Sequence, residues 1–328
     1  MIKKQILEII KQYQRFLIVA HIHPEGDSIG SQIAMANLLK TFGKSVRIIN
    51  ADAVPGNLAF LPGIETVESG IDAAVEDITF DAAVILDCPT LERIGKVKQL
   101  LGKGEYIINI DHHISNEHFG NINWVDFKAS SVGEMVYGLF KGSNIPLDGA
   151  SAQCIYVAIM TDTGSFHYSN TTAATHKIAA ELLQYNINPT KVYEYIYETK
   201  SFETLKLLAE VLSNLQRSKD GKFVWFKVTD AMLKRNKLSH QSTDDFIDFV
   251  RMVEGAEVVA FLREVSHGNT VKVSLRSKTD IDVNKLAKHF GGGGHYAASG
   301  CVIEKNMEEA EKLLLRQIKK IFQEQKQG

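Results

Sequence analysis

Four continuous apolar runs constrain the fold of this chain more than any other feature: 16–20 (FLIVA), 46–50 (VRIIN), 82–86 (AAVIL) and 106–110 (YIINI). A strand with one wet face alternates apolar and polar residues. Runs that stay apolar suit strands covered on both faces, and hence a parallel sheet between helical layers. Helix-like stretches at 28–41, 131–140, 151–160 and 173–183 supply those layers. The expectation is an α/β, doubly wound parallel-sheet domain over residues 1–188.

Residues 189–215 read as two helices with few turn signals and are taken as a helical linker. The texture then changes. Segments 223–228, 257–265 and 270–276 read as strands, the last two as a hairpin through Ser266-His267-Gly268-Asn269. Helices are expected at 243–252, 283–289 and 307–323. Residues 216–328 thus form a second, smaller α/β domain. A chain of 328 residues, 45% hydrophobic, is long enough to bury both cores.

Charge narrows the partners. With 37 basic and 39 acidic side chains the formal net charge is −2, without the basic surplus that coating long nucleic acid requires. Any nucleic-acid substrate is expected to be small and held in a cleft. Cys88, Cys154 and Cys301 are scattered and odd in number, which argues against a disulfide framework or a thiolate zinc site. The N-terminal stretch carries Ile2, Ile6, Ile9, Ile10 and Tyr13 at helical spacing but is too charged for a signal peptide. No run of about 18 apolar residues follows it. A cytoplasmic protein without membrane contact is expected.

Chemistry is concentrated where apolar segments end. FLIVA leads into His21-Ile22-His23-Pro24-Glu25-Gly26-Asp27, AAVIL into Asp87, YIINI into Asp111-His112-His113, and the apolar helix IYVAIM into Thr161-Asp162. Parallel strands share one carboxyl-terminal edge, where open α/β folds bind ligands. A strand-terminal Asp taken alone is more often a helix cap, and a lone His more often structural. Four such clusters converging are another matter. Glu25, Asp27, Asp87 and Asp162 brought together without cations would repel one another and lose hydration. Divalent ions remove that cost. Carboxylates with imidazoles and no thiolate favour manganese, with magnesium, cobalt, iron or zinc also compatible. A two-metal site clamps a phosphoryl group and lowers the pKa of water towards about 7.

The pattern His21-x-x-x-Glu25-x-Asp27, Asp87, Asp111-His112-His113 and Asp162 resembles the motifs of the DHH phosphoesterase superfamily. Gly291-Gly292-Gly293-Gly294-His295, followed by Ala298-Ser299-Gly300, resembles the hallmark of its associated C-terminal substrate domain. Together the motifs span nearly the whole chain, and they are most similar to the branch of nanoRNases and phosphatases of 3'-phosphoadenosine 5'-phosphate (pAp). The resemblance implies that His21, Glu25 and Asp87 hold one Mn2+ ion. Asp27, Asp87, His112 and Asp162 would hold a second, with Asp87 bridging. It also implies that His113 faces substrate, that Asp111 orients a neighbouring histidine, and that copies pair as a homodimer.

The expected catalytic residues are therefore His113, Asp111 and Asp87. Expected substrate contacts are Arg276, His295, Gly292, Gly293, Gly294, His167 and Ser131. Glycines let backbone N–H groups approach a phosphate, and a guanidinium can fork onto one. The expected substrates are short RNA oligonucleotides and pAp, with linear or cyclic di-adenylate as the alternative. Two departures stand out: relatives more often carry Asp at the Glu25 position and Arg where this chain has His167. The glycine–histidine motif argues against an inorganic pyrophosphatase, and the short, slightly acidic chain against a RecJ-type exonuclease. A non-catalytic nucleotide-binding regulator on the same scaffold would be expected to lose metal-competent residues, and none is lost.

Overall fold

The computed structural model describes residues 2–70, 78–102, 105–265, 269–294 and 296–324. It divides into two compact units, Met1–Thr199 and Lys200–Gly328.

In the first unit the described strands are β1 (Arg15–Val19), β2 (Ser45–Asn50), β3 (Val67–Ser69), β4 (Ala82–Leu86), β5 (Tyr106–Asp111) and β6 (Ile122–Val125). They lie in the order β3-β2-β1-β4-β5-β6, and every pairing is parallel. Alternate residues of the apolar runs serve opposite faces. Phe16, Ile18, Val84 and Leu86 share a core with the helices α1 (Ile2–Gln12), α2 (Gly26–Thr41), α3 (Val132–Ser143) and α4 (Gly149–Asp162). Leu17, Val19, Ala83 and Ile85 share another with Ile94 and Val97. Both faces of β1 and β4 are thus dry, which explains why their sequences do not alternate. Helices α5 (Ala173–Leu182) and α6 (Pro189–Tyr197) complete the described α-helices of this unit, and Ile94 and Val97 lie on a 3-10 segment, Leu91–Leu100.

Helix α2 is buried through most of its length and meets α4 at very close range. A Cβ at Gly30 would stand 2.4 Å from the Cys154 carbonyl oxygen, so only glycine fits. Gly30→Ala would gain about 1 kcal/mol of helix propensity but lose about 1–3 kcal/mol by forcing the helices apart. A lower melting temperature is the expected result in thermal unfolding. A rise would show that the two helices can separate freely.

The second unit contains β7 (Gln216–Arg217), β8 (Phe223–Val228), β9 (Val258–Val265), β10 (Thr270–Ser277), β11 (Gly293–Gly294) and β12 (Ala298–Ile303), in the order β11-β12-β10-β9-β8-β7. Among the described residues only the β8–β9 pairing is parallel. One face, with Val271, Val273 and Leu275, packs on residues of α10 (Val283–His289) and α11 (Met307–Glu324). On the other, Phe226 and Phe261 stack at 4.5 Å, in a core shared with α7 (Phe202–Ser213), α8 (Asp230–Asn236) and α9 (Phe246–Arg251).

Three details differ from the sequence reading. Residues 189–215 are not a separate connector: Val192 and Ile196 of α6 belong to the first core, while Leu207, Leu208 and Val211 of α7 belong to the second unit. The helix expected at 243–252 is shorter, Phe246–Arg251, preceded by a 3-10 turn at His240–Thr243. Strand β12 takes residues read only as a motif, and its alternating burial shows an edge-side strand with one covered face. The expected hairpin between β9 and β10 is antiparallel as read, with Val265 opposite Thr270; residues 266–268 of its turn lie outside the described residues.

Candidate metal centre

Strand order reverses between β1 and β4, and open α/β sheets bind ligands at the carboxyl ends of such a switch point. That is where the acids and imidazoles gather. Beyond β1, His21 is buried and Glu25 is the N-cap of α2. The Ser28 hydroxyl accepts from the Glu25 N–H at 2.8 Å, which starts the helix two residues earlier than the sequence pattern indicates. Asp27 therefore sits in a helical first turn, buried, rather than in a loop. Asp87 follows β4 at φ 59, a left-handed conformation that Asp and Asn tolerate better than other non-glycine residues. Asp111 is the last residue of β5, ahead of His112 and His113, and Asp162 is the last of α4.

The two oxygens of Asp87 face different partners. Its Oδ2 lies 3.2 Å from His21 Nε2, and its Oδ1 lies 3.6 Å from His112 Nε2. His112 Nε2 is also 3.5 Å from Asp162 Oδ2. Ligands about 2.1 Å from one tetrahedral or octahedral ion sit roughly 3.0–3.4 Å apart, so these separations are close to those of neighbours around a common cation. Three sets have donor atoms all within 4.8 Å of one another: His21, Glu25 and Asp87; Asp27, His112 and Asp162; Asp87, His112 and His113. Each of these groups could hold a metal ion.

In the third set His113 already has a commitment, because its Nδ1 is 2.7 Å from Asp111 Oδ1. Asp111 is fully buried, and its Oδ2 accepts from Asn116 Nδ2 at 2.7 Å. Asn116 also donates to Asn109 Oδ1 at 2.8 Å. This carboxylate–amide frame holds the His113 ring in one orientation. Sequence reasoning missed both asparagines, although a polar Asn109 inside YIINI was a signal that something buried needed a partner.

Asp27 is held from a distant part of the chain. The N–H groups of Val132 and Gly133, at the start of α3, donate to its two oxygens at 2.7 and 2.9 Å. Ser31 Oγ adds a third bond at 3.0 Å. The helix N-terminus thus supplies partial positive charge to a buried carboxylate. Ser131, expected as a substrate contact, is the buried N-cap of α3, its hydroxyl accepting from the Glu134 N–H at 3.1 Å. His167 is exposed, in the loop that follows α4. Asn170, also missed, donates to the carbonyls of Ser130 and Asp162 at 3.0 and 3.1 Å and ties that loop to the start of α3.

Crowded acids perturb one another. Burial and the neighbouring Asp87 charge push Asp27 up to about 7, despite its three donors. Burial and Asp27 raise Asp162 well above the usual carboxylate range. Burial opposes charge on His21 and His112, but pairing with Asp87 outweighs it and lifts them to about 9 and about 11. Asp87 is held low by the same two rings, against its own desolvation. Protons on these groups therefore offset part of the repulsion among the carboxylates.

In the second unit, Arg276 lies on β10 opposite Ala298 of β12, and Gly293 and Gly294 pair with Gly300 and Ser299 of the same strand. At two of these glycines the fold itself excludes a side chain. A Cβ at Gly292 would stand 2.2 Å from the Gly300 carbonyl oxygen, and Gly294 has φ 140. Two of the run are consequently strand rather than open loop. His295 lies outside the described residues.

Comparison with known proteins agrees with this geometry. Residues 15–159 match the DHH family N-terminal domain and residues 220–324 the DHHA1 domain. A Thermus thermophilus protein named bifunctional oligoribonuclease and PAP phosphatase NrnA is 31% identical over 91% of this chain and 87% of its own length. The Bacillus subtilis protein of the same name is 29% identical over 95% and 96%. A crystal structure of an exopolyphosphatase-related protein from Bacteroides fragilis superposes with a TM-score of 0.90 at 29% identity, covering 96% of this chain and 94% of that one. The chain belongs to the family of DHH proteins with a C-terminal DHHA1 domain that includes these NrnA proteins.

Proposed function

We propose that this chain is a phosphoesterase that hydrolyses very small nucleotide substrates: oligoribonucleotides a few residues long, and pAp to AMP. The observation that carries the reading is Asp87, whose two oxygens face separate donor sets at the switch point of the sheet. The names of the NrnA relatives supply the substrate class.

His21, Glu25 and Asp87 would hold one divalent ion, and Asp27, Asp87, His112 and Asp162 the other. Manganese suits the mixed oxygen and imidazole donors. When bound, such ions polarise phosphoryl oxygens and lower the pKa of water. The chain's own groups do the rest. Asp111 fixes the Nδ1–H tautomer of His113, so Nε2 is the atom that accepts a proton or, once protonated, donates to a phosphoryl or leaving oxygen. Arg276 and the glycine run would take a second substrate phosphate. The reading places the enzyme in the cytoplasm, where its three buried, unpaired thiols stay reduced.

A manganese-supplemented panel tests the reading: pAp, pApA, RNA of two, five and twenty nucleotides, cyclic di-AMP and pyrophosphate. Turnover of pAp and of the two- and five-nucleotide RNAs is expected, with the twenty-nucleotide RNA at least about 10-fold slower. Equal rates on all three RNA lengths would contradict the short-substrate claim. Dominant cyclic di-AMP turnover would move the chain to the di-adenylate alternative.

The pKa shifts give a pH prediction. Asp27 is raised in the fold, so its contribution to stability is present below the unfolded value and lost as pH rises through about 7. His21 and His112 are raised too, and their contributions fade as pH climbs through about 9 and about 11. Metal-free protein should therefore lose stability from pH 5 to pH 9. Binding of cations removes those protons, so affinity rises over the same range. The manganese-induced shift in melting temperature is expected to be larger at pH 8.5 than at pH 6. A shift independent of pH would place the ions elsewhere.

A further inference from the structure

Beside the acidic cluster, the first unit carries aromatic surface that the proposed chemistry does not use. Tyr193 and Tyr197 lie one turn apart on α6, their rings 4.9 Å apart. Tyr193 is 41% exposed and Tyr168 42%. The Tyr168 ring lies against Gly164, two residues after Asp162: a Cβ there would be 2.4 Å from it. Tyr197 is half-buried, and its ring packs on the partly exposed Tyr193.

Next to this wall is a cavity of about 370 Å³, lined by Tyr156, Met160, Ser165, Phe166, Thr190 and Tyr193 among others. The backbone that shapes it is unusual. Gly164, Ser165 and Phe166 have φ of 55, 60 and 66, three left-handed residues in succession, two of them not glycine. Such strain costs about 1–3 kcal/mol per residue and gathers where geometry serves function. Here it turns the chain directly after Asp162, setting Phe166 against the ring of His176 at 5.5 Å.

We propose that Tyr193, Tyr197 and Tyr168, with Phe166 in the adjoining cavity, form a stacking surface for the nucleobase of the nucleotide whose phosphoester lies at the carboxylate–imidazole cluster. This deepens the phosphoesterase reading and rests on it. The occupant follows from three observations. Tyr168 packs on Gly164, two residues after Asp162, and the cavity that Tyr193 lines also takes in Ser165 and Phe166 of the same turn, so the wall begins beside one member of the cluster. The cavity is large enough for a purine, and its mixed aromatic and hydroxyl lining suits a flat, polar-edged ring. The surface presents ring faces rather than a fixed set of donors and acceptors, so it should accept any base, as a nuclease of mixed-sequence oligonucleotides needs.

The test compares manganese-dependent hydrolysis of pApA with that of the same dinucleotide lacking both bases, using wild type, Tyr193→Ala, Tyr197→Ala and Tyr193→Phe. For Tyr193→Ala, KM for pApA should rise about 10-fold with kcat nearly unchanged, while the abasic substrate changes less than about twofold. Tyr193→Phe should restore the wild-type KM, since stacking needs the ring and not the hydroxyl. Tyr197→Ala should act in the same direction. Equal effects on both substrates, or none on either, would overturn the proposal. So would a changed oligomeric state accompanying equal effects, which would make the wall a protein–protein surface. Failure of wild type to cleave either dinucleotide would refute the phosphoesterase reading itself, a separate outcome.

Discussion

Asp87→Asn is expected to lower kcat/KM for pAp by at least about 1,000-fold, a loss of roughly 4 kcal/mol of transition-state stabilisation. Asparagine is the informative replacement. It tolerates the left-handed backbone at φ 59, so the loop between β4 and the next segment should keep its shape. What changes is charge and donor type. One oxygen becomes an amide that cannot bind a cation, and the pairing with either His21 or His112 is lost. Steady-state kinetics with added manganese, beside a melting curve, separates lost chemistry from lost fold. A folded variant with most of its activity would show that Asp87 does not join two ions.

Asp27→Ala should be nearly as severe and should differ in stability. Removing the carboxylate deletes a proposed ligand and leaves the buried Val132 and Gly133 N–H groups without acceptors. Each orphaned donor costs about 1–3 kcal/mol. The change also relieves repulsion among Asp27, Asp87 and Asp162, which works the other way in metal-free protein. The two effects have different metal dependence. Metal-free variant and wild type should melt within a few degrees of each other, whereas the manganese-loaded variant should fall well below loaded wild type. Activity should drop by at least about 100-fold. An unchanged manganese shift in the variant would remove Asp27 from the site.

Much of this was legible in the amino-acid sequence because the strongest signals are local. FLIVA and AAVIL are apolar throughout because both faces of β1 and β4 are covered, and the acids that follow them fall at one sheet edge by the geometry of parallel strands. Strand β6 was not legible: INWV is only four residues with a polar Asn123 among them, and its place comes from its ladder with β5. The capping role of Ser131 was not legible for a related reason. Its hydroxyl satisfies the first turn of α3, and that turn matters because it receives Asp27 from more than 100 residues earlier in the chain. No spacing rule reveals such a pairing. Asn116 is similar, since its worth lies in the Asp111 and Asn109 side chains that folding brings to it. The glycine run was read for its freedom to approach phosphate, whereas at Gly292 the approach that excludes a side chain is to the neighbouring strand.

Elemental analysis of purified protein after manganese loading and desalting, with hydrolysis of pAp measured on the same sample, tests the central claim most directly. The account predicts about two ions per chain, falling together with activity on treatment with a chelator and in Asp87→Asn. Full activity in chelator-treated protein that holds no divalent metal would contradict it.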